Sequence, residues 1–206
     1  GSSTPDTPVT PNPPADGDTV GDATAETADI SFVGNGFVKE GYFSIKGLKN
    51  AEGLEKGEFK FSWMNKAGTT GTSTVEGASM KNILKDIHGI TDKANTIVFT
   101  SSDGFQKVLP LDDMFTKDKD GQRPVLAWKV DDSKEDTPML IIGQADVNDV
   151  NKSKWIKSIV KVQVLETEVA GELDPMIHQD KLGSDYLDNK EELKAAGFDT
   201  IEKIEK

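Results

Sequence analysis

A chain of 206 residues carrying 24 Lys and Arg against 36 Asp and Glu, a formal charge of −12, has length for one substantial core and a field that repels phosphate backbones. Nucleic acid is therefore not expected as a partner. The complete lack of cysteine removes disulfides, cysteine nucleophiles and thiolate sites for zinc, iron-sulfur clusters or molybdenum, and no run approaches the roughly 18 apolar residues of a membrane-spanning helix.

Residues 1–29 hold Pro5, Pro8, Pro11, Pro13 and Pro14, many Thr and Asp, and neither Lys nor Arg. Such a stretch has too little apolar surface to offset the entropy of ordering, so a disordered Pro/Thr/Asp-rich spacer is expected there. A Ser/Thr/Pro stretch of this kind matches what is left when an export signal and a lipid-bearing Cys are trimmed away. The expectation is an extracellular or cell-surface protein whose membrane contact is an N-terminal lipid anchor. A disordered N-terminus on a cytoplasmic protein is the alternative.

From Ile30 onward, short apolar alternations between Gly, Asn and Asp clusters predict a β-rich domain. Strands are expected at Phe43 to Lys46, around Phe59, Phe61 and Trp63, at Thr96 to Thr100, Gln106 to Leu109, Val125 to Val130 and Met139 to Ile142, and around Val160, Val162 and Val164. Met80, Ile83, Leu84 and Ile87 fall at i, i+3, i+4 and i+7, which predicts a helix capped by Ser79 and closed by Gly89. Its apolar stripe should lie on the sheet. A second helix is expected after Asp188, with Glu191 completing a capping box and Gly197 ending it, and a further helical turn from Thr200. The segment from Asn189 to Ile204 is faintly like one arm of a helix-hairpin-helix module, but its acidic balance argues against phosphate binding.

The side chains able to do chemistry are few. Ser62 and His88 could pair as nucleophile and base, but they come from different elements with no acid marked to orient the imidazole; a helix-end histidine bonding terminal carbonyls is the simpler reading. Asp118-Lys119-Asp120-Gly121 resembles part of a calcium loop without the glutamate at the twelfth position, which leaves a polar turn. Asp103-Gly104 suits a tight turn between two strands. Trp63, Trp128 and Trp155 read as core or sheet-face aromatics, although an indole at a cleft mouth could stack a flat ligand.

Six spaced segments between Tyr42 and Leu165 resemble, in order, the molybdopterin-binding oxidoreductase domain of the sulfite oxidase family. Phe43-Ser44-Ile45-Lys46-Gly47-Leu48 is similar to its opening strand, and Phe59 to Asn65 to the strand that ends in Cys-x-x-Asn. Glu76-Gly77-Ala78-Ser79-Met80, with Ile83-Leu84, is similar to the family's Trp-x-Gly-Val-x-Leu segment at the start of a helix. Ser101-Ser102-Asp103-Gly104-Phe105 resembles the Ser-x-Asp-Gly-Tyr turn, Leu126-Ala127 follows, and Lys154-Trp155-Ile156-Lys157-Ser158-Ile159 resembles the closing Lys-Trp motif.

The resemblance implies a single α+β domain, β-rich with mixed sheets and a few covering helices, preceded by the disordered arm. It divides the chain into a spacer at 1–29, a molybdopterin-binding-like domain at 30–168 and a helical C-terminal extension at 169–206. The family's molybdenum ligand is a cysteine thiolate, and Ser62 stands at that position. A protonated hydroxyl is a poor match for a site built from sulfur. The family's arginine-bearing segment before Lys-Trp corresponds to Ile142-Gly143-Gln144-Ala145-Asp146, without arginine, and Arg123 is the chain's sole Arg. A pterin phosphate would have to rest on Lys152, Lys154 and backbone amides. The leading expectation is a non-catalytic, surface-tethered binding or interaction module with a candidate cleft near Ser62, Asn65, Asp103 and Lys154. Its partner would be a small polar ligand or an envelope protein, with no metal and no cofactor expected, molybdopterin entering by resemblance alone. A molybdopterin-dependent oxidoreductase with Ser62 as an oxygen ligand, and a structural spacer or adhesion domain of the cell envelope, are the two rivals.

Overall fold

A computed structural model describes residues 19–132 and 137–171. Among these described residues nine strands form two sheets, as the alternating apolar positions require of a chain that must bury one face of each strand. The first sheet contains β1 (Ile30–Val33), β2 (Gly41–Phe43), β5 (Thr96–Ser101), β6 (Gln106–Pro110) and β9 (Ile159–Leu165) in the order β2-β1-β9-β5-β6. It is mixed, because β1 runs parallel to β9 while every other pair is antiparallel. The second sheet, β3 (Lys56–Met64), β4 (Thr70–Ser79), β7 (Val125–Val130) and β8 (Met139–Ile141), is wholly antiparallel in that spatial order. This is the β-rich α+β architecture expected from the alternations.

The main core lies between the sheets. Ile30, Phe32, Ile97, Phe99, Val162 and Val164 from the first meet Ala78, Leu126, Trp128 and Leu140 from the second, with Met80, Ile83 and Leu84 filling the space between them. The predicted helical stripe is thus on the buried side. The segment itself is π-helical from Asn82 to His88, and Ser79 is no cap: it ends β4, and its hydroxyl accepts from the Lys81 N–H at 3.2 Å.

The second sheet also has a core of its own, made of Phe61, Val75, Val125, Ala127 and Ile141 on its other face. The cause is a curl. Asn151, fully buried in the 3-10 turn Asn151–Lys154, accepts from Met64 N–H at 3.0 Å and donates to Ser62 O at 3.1 Å and to Ile142 O at 2.7 Å. Met64 and Ser62 belong to β3 and Ile142 follows β8, the two edges of the sheet. In a flat four-stranded sheet those edges are about 14 Å apart, further than one amide reaches, so the sheet must wrap around its small core. A bulge at Glu76/Gly77 helps it bend, and a Cβ on Gly77 would meet the Leu126 carbonyl oxygen at 2.2 Å, so only glycine permits that approach.

Several boundaries differ from expectation. The strand foreseen at Phe43 to Lys46 stops at Phe43, because Ser44 caps a short helix, α1 (Ile45–Lys49), its hydroxyl accepting from Gly47 N–H at 2.9 Å. Two strands, β1 and the long β4, were not foreseen. The folded part begins before the boundary expected at residue 29: Val20 bridges to Gly41, and the Asp22 carboxylate accepts from Ser44 N–H at 2.8 Å. Hydrogen bonds from Ser44 hold the Asp22 carboxyl below its ordinary value. Average composition misses such capping contacts because one carboxylate at the right place suffices. At the other end Gly171 N–H donates to Thr96 Oγ1 at 2.9 Å, so order continues past residue 168. The helices expected after Asp188 and Thr200 lie outside the described residues, as do residues 1–18. Among the described residues no helix is long and apolar enough to cross a membrane.

Candidate functional site

Side chains alternate along β3, so Ser62 and Trp63 point to opposite faces of the curled sheet. Ser62 is half-buried on the outer face, where its hydroxyl donates to an Asp120 carboxylate oxygen at 3.3 Å. Asn65 begins the β3–β4 hairpin, its side-chain oxygen accepting from Ala67 N–H at 3.0 Å and Thr69 N–H at 2.9 Å. Lys154 ends the 3-10 turn whose Asn151 grips β3, and its charge is felt by Asp113, a carboxyl raised by burial and drawn back by Lys154. Asp103 belongs to the other sheet, in the β5–β6 turn, where it accepts from Phe105 N–H at 3.0 Å and Gly104 takes φ 92°. The fold therefore brings Ser62, Asn65 and the turn bearing Lys154 to one end of β3, while Asp103 sits on a separate hairpin. His88 is 1 % exposed and packs on Phe32, Phe37 and Phe43 in the main core, away from Ser62. Its Nδ1 pairs with Lys39 O at 2.9 Å, Nε2 has no partner among the described residues, and burial lowers its pKa to about 4. An imidazole enclosed by phenyl rings, with Ser62 bonded to Asp120 instead, does not form a nucleophile and base pair with that serine.

Molybdopterin, implied by the resemblance, does not fit the residues around Ser62. The position that would need a soft anionic sulfur carries a hydroxyl engaged with a carboxylate, and a phosphate there would face Asp120 and Asp118 of the same turn. Arg123 spends its Nε–H on Phe115 O at 2.9 Å. Among the described residues no group of three or more His, Asp or Glu gathers for a metal. Asp118, whose oxygen accepts from Asp120 N–H and Gln122 N–H at 2.8 Å each, builds a polar turn and not a calcium loop.

A different place has the form of a binding site. At one end of the curled sheet a pocket of about 380 Å³ opens among Ser73 of β4, Trp128 and Lys129 of β7, Asp131 beyond it, Met139 of β8, and Lys152, Trp155, Lys157 and Ser158. That volume is in the range of small-molecule sites. A chain of hydrogen bonds organises its floor. The Trp63 indole N–H donates to Ser73 Oγ at 3.1 Å, and that hydroxyl donates to Asp131 Oδ2 at 3.0 Å. Asp131 Oδ1 accepts from Thr74 N–H at 3.0 Å. The Lys152 ammonium stands 3.7 Å over the Trp63 ring and 5.5 Å from that of Trp155, which is itself pinned by its indole N–H to Ile142 O at 2.9 Å. Gly71 lies opposite Trp63, and a Cβ there would enter the indole at 2.4 Å.

Two non-glycine residues have left-handed backbones among the described residues, Asp131 at φ 52° and Ser158 at φ 54°, and both line this pocket. Such strain persists where the surroundings over-determine it, and it gathers at binding sites. Asp131 is held by Ser73 and Thr74, and Ser158 by Ser102 N–H, which donates to its carbonyl at 2.9 Å. None of Ser62, Asn65, Asp103 and Lys154 lines the pocket. Trp63, Trp155 and Lys152 are legible in the sequence as aromatic and cationic candidates, but nothing there pairs Ser73 with Asp131 across 58 residues. Trp128 is a core residue, as the simpler reading had it.

No protein-family model matches the chain, and no curated protein matches it either. Among solved structures it is similar to the sulfane dehydrogenase SoxCD from Paracoccus pantotrophus, with a TM-score of 0.50 and 9% identity over 67% of this chain and 38% of that one. The likeness is one of fold. The chain thus spans less than half the length of that oxidoreductase and shares its β-rich architecture.

Proposed function

We propose that this chain is a non-catalytic binding module, divergent from the sulfite oxidase-like molybdopterin domain, that uses the pocket at the end of the curled sheet for a small polar ligand. The observation that carries the reading is the contrast between two places on one sheet. The outer face offers the inherited metal position only a Ser62 hydroxyl tied to Asp120, whereas the opposite face holds a preorganised cavity of 380 Å³. A redox centre needs a donor set, and a ligand needs a shaped cavity with a few fixed polar groups. A spacer or adhesion domain requires no such cavity. An exported, surface-tethered setting belongs to the same reading, supported by the Pro/Thr/Asp-rich composition of the first 29 residues.

Elemental analysis of protein expressed in its own host, paired with a thermal-shift screen of small polar compounds, tests the proposal. Molybdenum below one tenth of the protein, with at least one compound raising the melting temperature, is the expected result. Stoichiometric molybdenum would replace this reading with the oxidoreductase that uses Ser62 as an oxygen ligand. Mass spectrometry of the native protein addresses the anchor, since an unlipidated cytoplasmic species would remove it from the proposal.

A further inference from the structure

Resting on that reading and deepening it, we infer that the pocket takes a small organic anion: a carboxylate or sulfonate carried on a flat, apolar body. The chain as a whole repels anions, with a formal charge of −12. Among the described residues the pocket wall inverts that field locally, because it presents Lys129, Lys152 and Lys157 against one carboxylate, that of Asp131. Both oxygens of Asp131 already accept hydrogen bonds, from Ser73 and from Thr74. Lys129 leans on Glu76 at 3.9 Å, while Lys152 and Lys157 have no carboxylate within ion-pair distance among the described residues.

How Lys152 is held decides the sign of the ligand. Its ammonium rests on the faces of Trp63 and Trp155, and a π face fixes a cation in place without cancelling its charge. A carboxylate or sulfonate arriving from the open side would find a charge that is already positioned and partly stripped of water, so little ordering cost remains. A cationic ligand would instead confront three ammonium groups. The body of the ligand is set by the apolar walls, Met139 and Trp155, which suit a planar hydrocarbon better than a sugar or a hydrated inorganic ion. The left-handed Asp131 and Ser158 both lie on the lining, and such strained backbone is often found at binding sites.

The test uses the full, isotope-labelled chain and three probes sharing one ring system: naphthoate, naphthylmethylammonium and naphthamide. Naphthoate should shift the indole N–H resonances of Trp63 and Trp155 and bind about tenfold or more tightly than the ammonium probe. Lys152→Met should weaken naphthoate about tenfold while leaving the neutral amide unchanged, and the exposed Lys157→Gln, which perturbs no packing, should weaken naphthoate in the same direction. If the ammonium or amide probe binds these indoles as tightly as naphthoate, or if both lysine variants bind naphthoate like the parent, the anion inference is overturned while the binding module stands. If no probe moves either indole, the pocket is no ligand site and both readings are overturned together.

Discussion

The buried side-chain amide of Asn151 donates to the main-chain carbonyl of Ser62 at 3.1 Å, across 89 residues of sequence. With the bonds to Met64 and Ile142 it ties one sheet's two edges to each other. Asn151→Ala takes the side-chain partner from Met64 N–H and Ser62 O, while Ile142 O keeps the Trp155 indole N–H, and should cost about 2 kcal/mol of stability. Asn151→Asp, which cannot donate to two carbonyls, should fare no better. Urea melts of both, followed by tryptophan emission, check this; a loss below about 0.5 kcal/mol would mean the curl has another cause.

Asp131 holds a left-handed backbone by accepting from Ser73 and Thr74. Asp131→Ala removes both bonds and leaves a residue that resists positive φ, so a loss of about 2 kcal/mol is expected, discounted for the exposure of the carboxylate. Asp131→Asn tolerates the conformation and keeps an acceptor, so it should lose less than half as much. Equal melting midpoints for the two variants would contradict the account.

His88 makes stability depend on pH with a defined sign. Burial lowers its folded pKa to about 4 from an ordinary value of 6.5, so between those values the unfolded chain binds the extra proton. Stability is therefore complete above pH 6.5, falls as pH drops toward 4, and this contribution is spent below that. The swing is about 3 kcal/mol by linkage. Denaturation midpoints measured across this window, together with the imidazole resonance of His88, provide the check; a histidine titrating near 6.5 in the folded protein would refute it.

Ser62 is expected to be nearly silent. Its hydroxyl makes one long bond to an exposed carboxylate, so Ser62→Ala should change stability by less than about 0.5 kcal/mol. Ser62→Cys should leave the protein without molybdenum, since Asp120 remains beside the new thiol. Metal analysis of that variant, expressed in a host able to make the cofactor, decides the matter.

The sequence by itself determined the elements whose burial repeats along the chain. Phe59, Phe61 and Trp63 show period two, Val162 and Val164 do so in β9 although Val160 of the same pattern is exposed, and Met80, Ile83 and Leu84 mark a helical stripe, because each buried apolar side chain independently needs cover from water. The absence of cysteine likewise settled which metal chemistry the chain lacks the ligands for. β4 escaped notice because Thr70–Ser79 is rich in Thr, Ser and Gly, and its strand character comes from neighbours on both sides rather than from its own apolar content. The pocket was likewise beyond reach. Trp63 with Ser73, Ser73 with Asp131, and Asn151 with Ser62 are each single polar contacts between distant segments, and a hydrogen bond depends on position to a fraction of an ångström. Tertiary structure alone decides which such groups meet, because hydrophobic burial tolerates many arrangements and a hydrogen bond tolerates few.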